Sequence, residues 1–122
     1  MAKYNILQDK SFTFAVKIIN LYKYLCDEKK EFVLSKQILR CGTSIGANIE
    51  EAIGGQSDKD FLSKLSIAYK EARETIYWLK LLLVTNYIEE KQAESILYEA
   101  NEICKILAKI KITTTTKLSQ KP

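Results

Sequence analysis

The only proline in this 122-residue sequence is its last residue, Pro122, and four glycines are all that loosen the rest of the backbone. An all-β chain of this length needs a turn roughly every 8–12 residues, and turns are built from Gly, Pro, Asn and Asp. With so few turn residues, the backbone is left with long helices. The apolar residues agree, since they recur at helical and not alternating spacing. Four segments carry this pattern, at about 11–29, 35–54, 58–86 and 89–112.

The first segment starts near Asp9 or Ser11 and bears two apolar rows, Phe12, Val16, Ile19 and Cys26, and Phe14, Ile18, Leu21 and Leu25. One bundle seam needs a single stripe, so the second row is surplus to a monomer. Ser35 is the expected N-cap of the second helix, whose inward stripe is Ile38, Ile45, Ile49 and Ile53. Gly42 and Gly46, four residues apart, predict a close approach by a neighbouring helix. Gly54 and Gly55 are expected to end the helix in the left-handed conformation. Ser57 with Asp60 predicts a capping box for the third helix, and Asn86 its stop. Phe61, Leu65, Ala68, Ala72, Ile76, Leu79 and Leu83 form the third helix's stripe; Ile96, Leu97, Ala100, Ile103, Leu107 and Ile110 form the fourth's. The β-branched run Thr113–Thr116 is a poor helix former. The expectation is an all-α, antiparallel up-down-up-down four-helix bundle over residues 1–113, followed by a disordered polar tail over 114–122.

Catalytic chemistry finds little to work with. The chain has no histidine, and Cys26, Cys41 and Cys104 are scattered, without the clustered spacing of a zinc site. They read as small buried hydrophobes in a reducing compartment. Glu50, Glu51, Glu71, Glu74, Glu94 and Glu99 lack the Glu-x-x-His partners of a di-iron bundle. Neither Thr43, Ser44 nor any cysteine has a histidine base. The reading is of a non-enzyme with no catalytic residue, metal or cofactor. Lys10 and Lys17 interrupt the first apolar segment, and no uncharged run approaches the ~20 residues of a membrane span. A cytoplasmic chain is expected.

Two features point to contacts with other molecules. On the second helix Arg40, Ser44, Asn48 and Glu51 fall within about 80° of one another, well away from the isoleucines. On the third, Glu71, Glu74, Thr75 and Trp78 cluster beside the core face. This set is either solvated surface or a polar seam at an oligomer interface, where Arg and Trp are favoured. The surplus row on the first helix favours the interface. Charge is uneven: residues 1–40 net +4, residues 41–101 net −4, and residues 102–122 net +4. Neighbouring first and fourth helices would pool the two basic ends, with Lys105, Lys109 and Lys111 as candidate phosphate contacts. The competing reading is that these lysines only keep the chain soluble.

The run from Gln37 to Ala52 has the form Q-x-x-R (Gln37, Arg40) followed by S-I-x-x-N-I-x-E (Ser44, Ile45, Asn48, Ile49, Glu51). Together with Asp60-Phe61 and Glu71-Ala72-Arg73-Glu74-Thr75-Ile76-Tyr77-Trp78-Leu79, it resembles the bacterial four-helix bundle proteins encoded in 23S ribosomal RNA intervening sequences. Gly46 stands where that pattern often has proline, and Ala52 where it often has glycine. The resemblance implies a ring-forming bundle, commonly a homopentamer. It also implies kinship with the accessory proteins of diversity-generating retroelements, basic pentamers that bind nucleic acid and reverse transcriptase. The expected function is a non-enzymatic oligomeric scaffold or adaptor that binds RNA or DNA without sequence preference. The alternative is a protein-interaction module with no nucleic-acid role, a reverse transcriptase being one partner that the kinship suggests.

Overall fold

The computed structural model describes residues 2–120. Four helices follow one another: α1 (Ala2–Asp27), α2 (Leu34–Ile53), α3 (Asp58–Val84) and α4 (Glu90–Ser119). α2 packs on α1 and α3, α3 packs on α4, and α4 returns to α1 in a looser contact that closes the bundle. The described residues contain no strand, so the chain is an all-α four-helix bundle. None of its helices is long and apolar enough to cross a membrane.

The core is built from the predicted stripes. Phe14, Ile18, Leu25, Ile38, Ile45, Ile49, Leu65, Leu79 and Leu107 are fully enclosed. Thr75 and Leu82 on α3 join them from positions outside the expected row. Ile53, by contrast, is 38% exposed at the end of its stripe.

Two helices run further than expected, and both extensions lie at the same end of the bundle. α1 begins at Ala2, where Leu7 is buried and the Tyr4 ring tilts against Phe61 of α3 at 5.2 Å. α4 continues through the threonine run to Ser119, so residues 114–119 are helix and not the disordered tail expected; residues 121 and 122 lie outside the described residues. Low intrinsic propensity is overridden by tertiary contact. Thr114 is buried, Lys117 reaches Asp58 at the start of α3 (3.5 Å), and the Thr113, Thr114 and Thr116 hydroxyls donate to carbonyls four residues back.

Helix ends show which local signals decided the chain's path. Ser57 caps α3 as predicted, accepting the Asp60 N–H at 3.1 Å, and Asn86 takes φ 67° just past the α3 C-cap. α2 differs. Ser35 is buried inside the first turn, and the capping group is the Glu31 carboxylate, which accepts the backbone N–H groups of Val33, Leu34 and Ser35 at 3.2, 3.0 and 2.7 Å. Burial pushes the Glu31 carboxyl up, but the three N–H donors outweigh it and leave its pKa below the ordinary value. At the other end, Gly54 caps α2 with φ −82°, and no glycine takes a positive φ. The expected left-handed stop is not used.

Candidate functional site

α2 and α3 run side by side, and seven of the eight predicted polar residues lie along the seam between them, Thr75 being the exception. At one end, Arg40 of α2 forks onto two carboxylates of α3, Glu71 at 3.2 Å and Glu74. Glu74 also accepts the Trp78 indole N–H at 2.9 Å. Partial desolvation works against the Arg40 charge, but Glu74 and Glu71 outweigh it and raise its pKa. Two turns along α2, Asn48 donates to the carbonyl and hydroxyl oxygens of Ser44, each at 2.9 Å. At the far end, Glu51 meets Lys64 at 2.8 Å, a partner on α3 that the sequence reading passed over. The separation of 13 residues between Glu51 and Lys64 against 34 between Arg40 and Glu74 was the available signal, since two antiparallel helices pair early with late positions.

Thr75 does not reach this surface. It is wholly buried, its hydroxyl bonded to the Glu71 carbonyl at 2.7 Å. The Cys41 thiol lies against it, and burial pushes that thiol's pKa up to about 11 although the Thr75 hydroxyl works the other way. The eight residues therefore divide into an Arg40–Glu71–Glu74–Trp78 network over a buried Thr75, a Ser44–Asn48 pair, and the end pair at Glu51. The seam's charges are largely answered within one chain. Arg40 remains half exposed at 52%.

The expected basic patch is arranged differently. Where α1 meets α4, the lysines are answered by glutamates: Lys10 with Glu102 at 3.1 Å, and Lys17 with Glu99. These two pairs neutralise part of the positive charge where α1 meets α4. Lys105 and Lys109 share the exposed side of α4, about 40° apart around the helix, whereas Lys111 lies about 160° from Lys109. Its ammonium sits over the Tyr69 ring of α3 at 4.6 Å. The three candidates form no single surface.

The surplus apolar row of α1 is open. Phe12 is 72% exposed, Val16 44% and Ile19 38%. Beside Phe12 runs a groove of about 180 Å³ whose α2 wall is Thr43, Gly46, Ala47 and Glu50.

The Arg40 end of the seam and the Ser44–Asn48 pair are the geometry of the Q-x-x-R and S-I-x-x-N-I motifs, and comparison with known proteins extends the match far beyond them. A family model described as 23S rRNA-intervening sequence protein matches residues 3–109. The chain belongs to this family. Among solved structures, it is similar to a protein of unknown function from the S23 ribosomal protein family of Bacteroides thetaiotaomicron, with 60% sequence identity and a TM-score of 0.87. The match covers 88% of this chain and 96% of that one. No curated protein matches the chain. In this member of the 23S rRNA-intervening sequence family, Arg40 and Glu51 of the motifs tie α2 to α3, while Ser44 and Asn48 bond to each other within α2.

Proposed function

We propose that this member of the 23S rRNA-intervening sequence family is a non-catalytic scaffold that assembles with copies of itself and presents the assembled surface to RNA or DNA. The observation that carries this reading is the open Phe12–Val16–Ile19 row, a face too apolar to be left to water in a chain whose interior is already filled. A second copy is the occupant that fits it. The face offers both a knob, Phe12, and a small-residue groove at Gly46 and Ala47 into which another copy's aromatic ring can settle. Resemblance to the family suggests a ring of five. Such a ring multiplies the +4 charge of each chain, and a polyanion responds to the field of the whole.

Light scattering at micromolar concentration tests the assembly. The wild-type chain should exceed its 14.0 kDa monomer mass, and Phe12→Asp with Val16→Asp should return it to monomer with its helical circular dichroism intact. A wild-type monomer would remove the basis of the proposal. A protein-interaction module is the second reading, supported by the half-exposed Arg40 beside Trp78. It predicts an oligomer with no affinity for nucleic acid at about 50 mM salt, where phosphate contacts are strongest.

A further inference from the structure

α3 is electrostatically two-sided. Its flank toward α2 holds Glu71, Glu74 and Lys64, all engaged in the ion pairs of the seam. Its other outer flank holds Lys70, Arg73, Tyr77 and Lys80, at i, i+3, i+7 and i+10, which places them within about 80° of one another. All four are exposed, and among the described residues none of the three cations enters an ion pair. Lys111 of α4, seated on Tyr69, borders the same flank. This stripe lies inside the segment of the chain whose net charge is negative, so the sequence average conceals it.

Tyr77 is the aromatic member, 57% exposed, and it is braced from behind. Its ring meets the Trp78 ring edge-on, with centroids 5.2 Å apart and planes at 68°. Trp78 is held by Glu74, and Glu74 by Arg40. The polar motif of α2 thus supports, through two side chains of α3, an exposed ring set among unpaired cations. Cations spaced along one helix face with an aromatic platform between them suit a flexible polyanion carrying flat bases.

We propose that the Lys70–Arg73–Tyr77–Lys80 stripe of α3 is where this protein binds single-stranded nucleic acid, the cations meeting phosphates and Tyr77 stacking on a base. The inference rests on the nucleic-acid part of the proposed function and assigns it to α3, not to the lysines of α4. Arg40, Glu74 and Trp78 are positioning residues for the Tyr77 ring.

The test is a titration of the full chain with a fluorescent single-stranded RNA of mixed sequence, about 16 nucleotides long, at about 50 and 200 mM salt. The variants are Lys70→Ala/Arg73→Ala/Lys80→Ala, Tyr77→Ala, Tyr77→Phe, Trp78→Phe and Lys105→Ala/Lys109→Ala. Removing the three cations should flatten the log–log salt slope by about 2, since each phosphate contact on a single strand contributes roughly 0.7. Tyr77→Ala should weaken binding about fivefold or more while Tyr77→Phe retains it, because the face of the ring and not its hydroxyl does the stacking. Trp78→Phe should weaken binding without changing the salt slope. The α4 double variant should bind nearly as the wild type does. Full binding by the α3 triple variant, with loss in the α4 variant, would overturn this assignment and leave the nucleic-acid reading standing. Wild-type chain that ignores the RNA at the lower salt would overturn both. Competition by polyglutamate equal to that by unlabelled RNA would overturn the stacking role and mark the stripe as a site for acidic protein.

Discussion

Gly42 and Gly46 look alike in sequence, one helical turn apart on α2, yet the structure gives their alanine variants opposite signs. Neither has a positive φ, so alanine fits the backbone at both, and each replacement gains about 0.5–1 kcal/mol of helix propensity. The surroundings then decide. A Cβ on Gly42 would lie 2.8 Å from both Cγ1 and Cγ2 of Ile18 and 3.2 Å from its Cβ. Ile18 is fully buried and branches at Cβ, so no χ1 rotation turns both γ carbons away from the new methyl at once. α1 itself must move. Overpacking of this kind costs about 1–3 kcal/mol, which exceeds the propensity gain, and the expected result for Gly42→Ala is a net loss of about 1–2 kcal/mol. A Cβ on Gly46 meets the Ser11 carbonyl and hydroxyl oxygens at 3.5 Å, an ordinary contact, so Gly46→Ala should stabilise by up to about 1 kcal/mol. Urea unfolding followed by helical circular dichroism, at one fixed protomer concentration, reads both from the midpoint at unchanged slope. Ile18→Ala combined with Gly42→Ala should show favourable coupling of about 1 kcal/mol or more, because the truncated side chain no longer opposes the new methyl. If Gly42→Ala stabilised as much as Gly46→Ala, α1 would not lie on α2 as described.

Glu31→Gln should destabilise α2 by about 0.5–2 kcal/mol at neutral pH, the usual range for loss of a helix cap. The Glu31 carboxyl has its pKa lowered on folding, so its stabilisation is present above the carboxylate range and lost as pH falls through the folded value. The gap between wild type and variant, measured by urea unfolding, should therefore narrow on acidification below about pH 4; a gap independent of pH would contradict the charge-assisted cap. Cys41, with its thiol pushed up to about 11 by burial, should resist maleimide at pH 8 until denaturant is added, and mass spectrometry of tryptic peptides would show it. Cys41 labelled in the native protein as fast as the half-buried Cys26 would mean that the α2–α3 interface opens readily.

The number and order of the helices were legible because helical periodicity is local: a stripe at 3.6-residue spacing is written into consecutive residues. So were the Ser57 cap and the Asn86 stop, each a short-range backbone hydrogen-bonding device. The cap of α2 was not, although its start was read to within a residue, because the Glu31 carboxylate reaches its donors from outside the helix and competes with a serine that looks better placed in sequence. The polar seam was read as a set of residues but not as pairs. Sequence placed Arg40 and Glu51 on one face of α2; only the antiparallel packing of α3 supplied Glu71, Glu74 and Lys64 as their partners. The basic ends looked like one patch in the linear charge count, and the bundle neutralised part of it between α1 and α4 while turning Lys111 toward α3. Helix termini divide the same way. Thr113–Thr116 are weak helix formers whose state depends on whether something is packed beside them, and here Thr114 is buried and Lys117 reaches Asp58 of α3. Periodicity and capping act between residues a few positions apart and can be read from the chain alone. Ion pairing, overpacking and the rescue of weak helix depend on which surfaces meet, and only the tertiary structure brings those together.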